Sequence, residues 1–253
     1  GYTTGSYSLS VSSLSATTFS WSSMKDRYTN TERGPRATAV AKLMQYCGAS
    51  VQMDYGPESF SYTHMVAMAL KTYFDYNSTT QFVSRSYYTY AKWTDLIYHE
   101  LAHARPVVYG GQSSGGGHEF VCDGYKYEND TDFFHINWGW GGMSDNYFVL
   151  SALDPDQQGI GGSSSTDGFH YGQNAVIGIQ KSTQSGTTAN ISPNDVNLRM
   201  NSITLSNSTA PMGSIVNVTF NITNNSNSSR IGSINYIFSI SKTFSFCKCH
   251  FNN

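Results

Sequence analysis

Charge is scarce in this chain of 253 residues, which carries 15 basic and 17 acidic side chains, 13% of the total. So few cations cannot build the basic stripe that nucleic acid requires, and nucleic acid is not an expected partner. No run of about 18 apolar residues occurs, so no membrane-spanning helix is expected. Neither a Met nor a signal peptide precedes Gly1, so the chain reads as a processed product or a fragment. Only four cysteines are present: Cys47 and Cys122 stand alone, while Cys247 and Cys249 crowd the C-terminus. Neither a disulfide framework nor a zinc site has suitable spacing. Cys247-Lys248-Cys249-His250 lacks a second ligand pair. No metal or other cofactor is expected.

Aromatics and glycine are plentiful instead, with 18 Tyr, 14 Phe and 23 Gly. They point to a strand-and-loop surface of the kind common in exported proteins. Composition shifts near Gln184, and three regions follow: a first domain over 1–183, a polar linker over 184–195, and a second domain over 196–253. In the last, Val196–Met200, Ser214–Ile222 and Ile234–Phe238 alternate with period two, as strands do. About seven strands make a complete immunoglobulin-like sandwich. Three or four are visible, so a truncated β-sandwich is expected.

In the first domain, Ala37–Tyr46 reads as a helix closed by Gly48 in the left-handed C′ position. Tyr62–Tyr73 reads as a second, with Met65, Met68, Ala69 and Tyr73 on one face. Lys92–His103 reads as a third, apolar at Trp93, Leu96, Ile97 and Leu101. Strands are expected at Val107–Tyr109, His118–Cys122, Phe133–Trp138 and Tyr147–Leu150. Helices first and an antiparallel sheet afterwards make an α+β domain.

Chemistry concentrates in two segments. Gly115-Gly116-Gly117-His118 opens a strand with bare backbone, which lets a substrate approach an imidazole closely. Histidine is the side chain suited to take a proton near neutral pH. A histidine that merely begins a strand would look the same on these residues alone. Phe134-His135-Ile136-Asn137-Trp138-Gly139-Trp140-Gly141-Gly142 then holds more aromatic surface than a turn needs. It suits a wall that shields an imidazole, and an Asn amide there can orient a base by hydrogen bonding.

Taken together, three stretches resemble the streptopain family of papain-like cysteine peptidases in order and spacing. They are Gly-Gly-His118-x-Phe-Val-x-Asp-Gly, Phe-His-x-Asn137-Trp138-Gly-Trp140-Gly-Gly-x-Ser-Asp, and Tyr147-Phe148-x-Leu150-x-Ala152-Leu153-x-Pro155. Val40–Met44, Val51–Pro57, Gly168-Phe169 and Ala175–Ile179 fit as well, so the resemblance covers about residues 5 to 180. It implies a papain-like fold and a secreted or cell-surface bacterial endopeptidase that acts on proteins or peptides through a Cys-His dyad. It implies His118 as the base, and Ser61 and Gly117 beside the bound substrate. Asn137, Trp138 and Trp140 would hold the ring and line the cleft. A propeptide or a protein inhibitor is a further partner it brings into view.

The departures matter equally. The family's nucleophile sits at the N-terminus of a helix upstream of everything matched, a place that would precede Gly1, so the chain as given is expected to lack turnover. Cys47 falls at a helix C-terminus, where the dipole opposes a thiolate. Cys122 follows His118 by four residues on one strand, about 13 Å away. Phe60 and Tyr62 flank Ser61 where the family has small residues, and Glu119 replaces a small residue after the histidine. Two other classes stay open. One is a catalytically dead protein-binding module that keeps the groove. The other is a zinc peptidase using His99-Glu100-Leu101-Ala102-His103, whose His-Glu-x-x-His spacing matches zincins, although Pro106 ends the helix and the Gly-x-x-His extension is absent.

Overall fold

The computed structural model describes residues 1–185, 189, 191, 198–205 and 218–224. The chain divides into two compact units, Gly1–Ser192 and Pro193–Asn253. In the first, a short hairpin pairs β1 (Tyr2–Thr3) with β2 (Ser10–Val11). Then come α1 (Pro35–Ser50), α2 (Thr63–Tyr73), β3 (Gln81–Ser84) and α3 (Tyr90–Ala102). The rest is strand: β4 (Val107–Ser113), β5 (Gly116–Glu128), β6 (Thr131–Asn137), β7 (Asn146–Phe148) and β8 (Tyr171–Ile177). These form one antiparallel six-stranded sheet in the order β3-β8-β4-β5-β6-β7. The domain is α+β, as its element order predicts. No helix among the described residues is long and apolar enough to cross a membrane.

The helices begin where their sequences allow. Pro35 occupies the first turn of α1, where a missing N–H costs nothing. The Thr89 hydroxyl accepts from the Lys92 amide to cap α3. The predicted face of α3 holds: Trp93, Leu96 and Ile97 are buried against the sheet. They meet Val107, Tyr109, Phe120, Cys122, Phe134 and Ile136 in one core. Trp93 donates its indole N–H to the Tyr109 hydroxyl at 2.7 Å, which satisfies a polar atom inside that core.

Two helix readings need correction. Gly48 does not close α1; the helix continues to Ser50, with Gly48 buried inside it. A Cβ at Gly48 would overlap the Tyr55 hydroxyl, so the residue is there for close approach and not for a left-handed turn. On α2 the buried residues are Thr63, Ala67 and Ala69, while Tyr73 is 62% exposed. The apolar sides of α1 and α2 instead border an open groove of about 910 Å³ lined by Met44, Cys47, Val66 and Leu70.

In the second unit, β9 (Leu198–Leu205) pairs antiparallel with β10 (Val218–Asn224). The expected strand at Ile234–Phe238 and the Cys247–His250 cluster lie outside the described residues.

Candidate active site

His118 stands near the start of β5, paired across the ladder with Gly111 of β4. Its Nε2 lies 2.8 Å from the main-chain oxygen of Trp138. A carbonyl oxygen only accepts, so the Nε2 position carries the hydrogen and the Nδ1 lone pair is left to take a proton. Nδ1 faces Gly161, where an added Cβ would stand 3.9 Å away. Gly161 has φ 79°, the left-handed region that glycine enters freely, so the loop passes the imidazole without blocking it.

The turn after β6 holds the ring from two sides. Trp138 is fully buried, and three hydrogen bonds pin it. Its main-chain N–H donates to Asp145 Oδ1 at 2.9 Å and its indole N–H to the Ser144 oxygen at 3.0 Å, while its oxygen receives the imidazole. Trp140 lies almost parallel to the imidazole, with ring centroids 4.7 Å apart and planes at 17°. Its indole N–H donates to the Ile160 oxygen, which ties it to the opposing loop. Phe169 closes the remaining side at 5.6 Å.

Asn137 occupies a different place from the one the family resemblance suggests. Its Oδ1 accepts from the Gly139 N–H at 2.9 Å, so the amide organises the turn, and the imidazole is met by the next residue's backbone. The sharp turn at Gly139, with φ 79°, puts that carbonyl within reach.

A groove of about 730 Å³ runs past this histidine and is lined by Ser61, Gly117, His118 and Glu119 among others. Ser61 donates its hydroxyl to the Val51 oxygen at 2.5 Å, and Gly117 pairs with Gln112 across the ladder. The structure therefore brings Ser61, Gly117 and His118 to one groove, with Trp138 and Trp140 behind the imidazole. Asp145 ends the Gly-Gly-x-Ser-Asp motif but was given no role from sequence, and Gly161, Thr63 and Asn174 went unnoticed. Gly161-Gly162 could have hinted at a loop with special backbone angles; Thr63 and Asn174 carry no local signal.

Neither described cysteine is placed to serve His118. Cys122 is wholly buried in the core, where desolvation pushes its thiol pKa strongly up. Cys47 is exposed in the last turns of α1 and lines the 910 Å³ groove, with partial desolvation raising its thiol pKa.

The zincin arrangement is not built. Glu100 is completely buried; Arg105 donates to its carboxylate from Nε at 2.7 Å and from Nη2 at 3.0 Å, and the Gly178 N–H at 2.8 Å. Adjacent helix residues point about 100° apart, so Glu100 turns inward while His99 and His103 stack on each other at the surface, 4.3 Å between centroids.

Streptopain of Streptococcus pyogenes serotype M28 (strain MGAS6180) is 40% identical over 168 residues, which is 66% of this chain and 41% of streptopain. The thiol protease/hemagglutinin PrtT of Porphyromonas gingivalis is 37% identical over 166 residues, 64% of this chain and 18% of that protein. The chain thus spans about two fifths of the streptopain length. Among solved structures, the active wild-type interpain A cysteine protease of Prevotella intermedia is 33% identical, with a TM-score of 0.54 over 63% of each chain. The fold is accordingly papain-like. The sequence model of the Peptidase C10 family matches residues 2–148, a span that holds His118, Asn137, Trp138 and Trp140. With more than half of its residues matched by that family, the chain belongs to the peptidase C10 family.

Proposed function

We propose that this chain is the histidine-bearing part of a cysteine endopeptidase, with His118 as the general base. The observation that carries the proposal is the ring's setting: Nε2 is held by the Trp138 oxygen, Trp140 is stacked on one face, and Nδ1 is left toward the groove. A thiolate formed by proton transfer to Nδ1 would attack the scissile carbonyl. The imidazolium would return that proton to the leaving amine, and water would hydrolyse the thioester. Trp138 and Asn137 act as positioning residues, the first through its oxygen and the second by shaping the turn. Ser61, Gly117 and Trp140 border the bound peptide.

The thiol itself is assigned to the helix that precedes residue 1 in the family's arrangement, and the 253 residues by themselves are expected not to turn over. The placement of Cys47 and Cys122 supports this. So does the open 910 Å³ apolar groove, which shares Val51, Met53, Ser59 and Val66 with the groove beside His118 and offers room for such a helix. Proteins or peptides are the substrates, export from a bacterial cell is the setting, and a propeptide or protein inhibitor is a candidate partner. The second unit is assigned as part of a β-sandwich on the strength of β9 and β10.

Hydrolysis of a peptide substrate by the protein from its full reading frame tests this. His118→Ala is expected to lower kcat/KM by about a thousandfold or more; turnover comparable to wild type would sink the proposal. Peptide binding without hydrolysis would favour the binding-module reading instead. Labelling of the 253-residue chain with a peptidyl epoxide, located by mass spectrometry, is the companion measurement. A His118-dependent adduct on Cys47 or Cys122 would show the thiol to be misassigned.

A further inference from the structure

The groove beside His118 is lined by a carboxyl side chain with no cationic partner among the described residues. Among the described residues lining it, Glu119 is the one carboxylic acid and no lysine or arginine occurs. The other titratable side chains there are His118, Tyr62 and His64, the last two stacked on each other at 5.6 Å. Glu119 makes no ion pair among the described residues. Its one hydrogen-bonding partner among the described residues is the Thr63 hydroxyl at the head of α2, which donates to Oε1.

A second acceptor stands beside it. Gly110 of β4 pairs with Glu119 of β5 on one side and Asn174 of β8 on the other, so the two side chains leave the same face of the sheet and flank a residue without a side chain. A Cβ on Gly110 would lie 2.5 Å from Glu119 Oε1 and 2.7 Å from Asn174 Oδ1, so both oxygens converge over the bare backbone. The Asn174 amide is fixed in direction, because its Nδ2 donates to the Gly172 oxygen at 3.1 Å. Its Oδ1 therefore faces Glu119, and it is buried with no hydrogen-bond partner among the described residues. Two oxygens meeting over a glycine leave a place suited to a hydrogen-bond donor, and the buried Asn174 oxygen is costly without one.

We propose that Glu119 and Asn174 form a subsite for a basic side chain, arginine or lysine, of a peptide lying in the groove. The cation would neutralise the carboxylate and its N–H groups would supply the missing donors, with arginine's planar fork suited to both oxygens. The aromatic chain Phe60–Tyr62–His64–Phe82 borders the same groove and offers apolar surface to the methylene stem. The proposal rests on the peptide-binding reading of the groove given above.

Fluorescence anisotropy on the 253-residue chain tests it, with blocked, labelled hexapeptides in which arginine, or its uncharged isostere citrulline, is moved through each position of an otherwise neutral sequence. At one position arginine is expected to bind about tenfold more tightly than citrulline, and Glu119→Gln is expected to bring the pair within about twofold. Equal binding of arginine and citrulline at every position overturns the subsite and leaves the groove's peptide-binding role standing. If no hexapeptide binds, both fall. The wild-type comparison needs no variant, so a Glu119→Gln protein that failed to fold would not shelter the idea.

Discussion

His118 Nε2 and the main-chain oxygen of Trp138 are 2.8 Å apart, so the imidazole of this chain is oriented by backbone and not by a side chain. Such a partner cannot be removed by substitution, only moved. The group that holds it in place is Asp145, which accepts from the Trp138 N–H at 2.9 Å. On the proposed peptidase activity, Asp145→Ala is expected to lower kcat about ten- to a hundredfold, since displacements near 1 Å cost that much. It should also shift the acid limb of the pH–rate profile. A variant that lost stability alone would leave that limb unmoved.

Trp140 gives a test that needs no turnover. Its indole lies parallel to His118 with centroids 4.7 Å apart. A ring so placed shields the imidazole protons, and Trp140→Ala should move the His118 carbon-bound proton resonances downfield in the NMR spectrum. Trp140→Phe should retain part of the shielding. Unchanged resonances in Trp140→Ala would mean the stack is absent in solution.

Glu100 and Arg105 form a buried ion pair that also receives the Gly178 N–H, so it ties α3 to the end of β8. Removing one partner strands the other charge away from water. Glu100→Gln is expected to cost about 3–5 kcal/mol in urea unfolding. A loss below about 1 kcal/mol would place the pair at an exposed surface instead.

Inside α1, Gly48 abuts the Tyr55 hydroxyl. Alanine is the better helix former by about 1 kcal/mol, yet Gly48→Ala should destabilise, because overpacking costs about 1–3 kcal/mol. Tyr55→Phe removes the overlapping oxygen, so the double variant should recover part of the loss. Additive effects in the cycle would rule out the contact.

Glu119 should make stability depend on pH in a definite direction. Desolvation raises its folded-state pKa above the ordinary 4.5, partly opposed by the Thr63 hydrogen bond. The folded state therefore holds this proton more tightly than the unfolded chain. The resulting stability is fully present below pH 4.5 and is lost as pH rises through the raised folded-state value. Relative to wild type, Glu119→Gln should gain melting temperature as pH climbs across that window. The opposite trend would show the carboxylate to be stabilised as an anion in the free protein.

Local pattern carried much of this architecture. The helix α3 was legible because Trp93, Leu96, Ile97 and Leu101 recur at helical spacing, and the burial of the first three follows from that spacing. The His118 segment and the Trp138–Trp140 turn were legible because glycine and tryptophan in those numbers exceed what a plain turn demands. Position along a chain says little, however, about what arrives from elsewhere. Gly48 looks like a helix stop until Tyr55 is seen pressed against it. Glu100 looks like half of a metal motif until Arg105 and Gly178 claim its carboxylate. Asn137 looks like the partner of the imidazole, yet a tight turn gives that place to the oxygen of Trp138. Asn174 is 55 residues beyond Glu119, and only the sheet order β8-β4-β5 sets them on either side of Gly110. Periodicity and composition report the forces acting within a few residues, whereas strand order and register decide which distant polar atoms meet at one site.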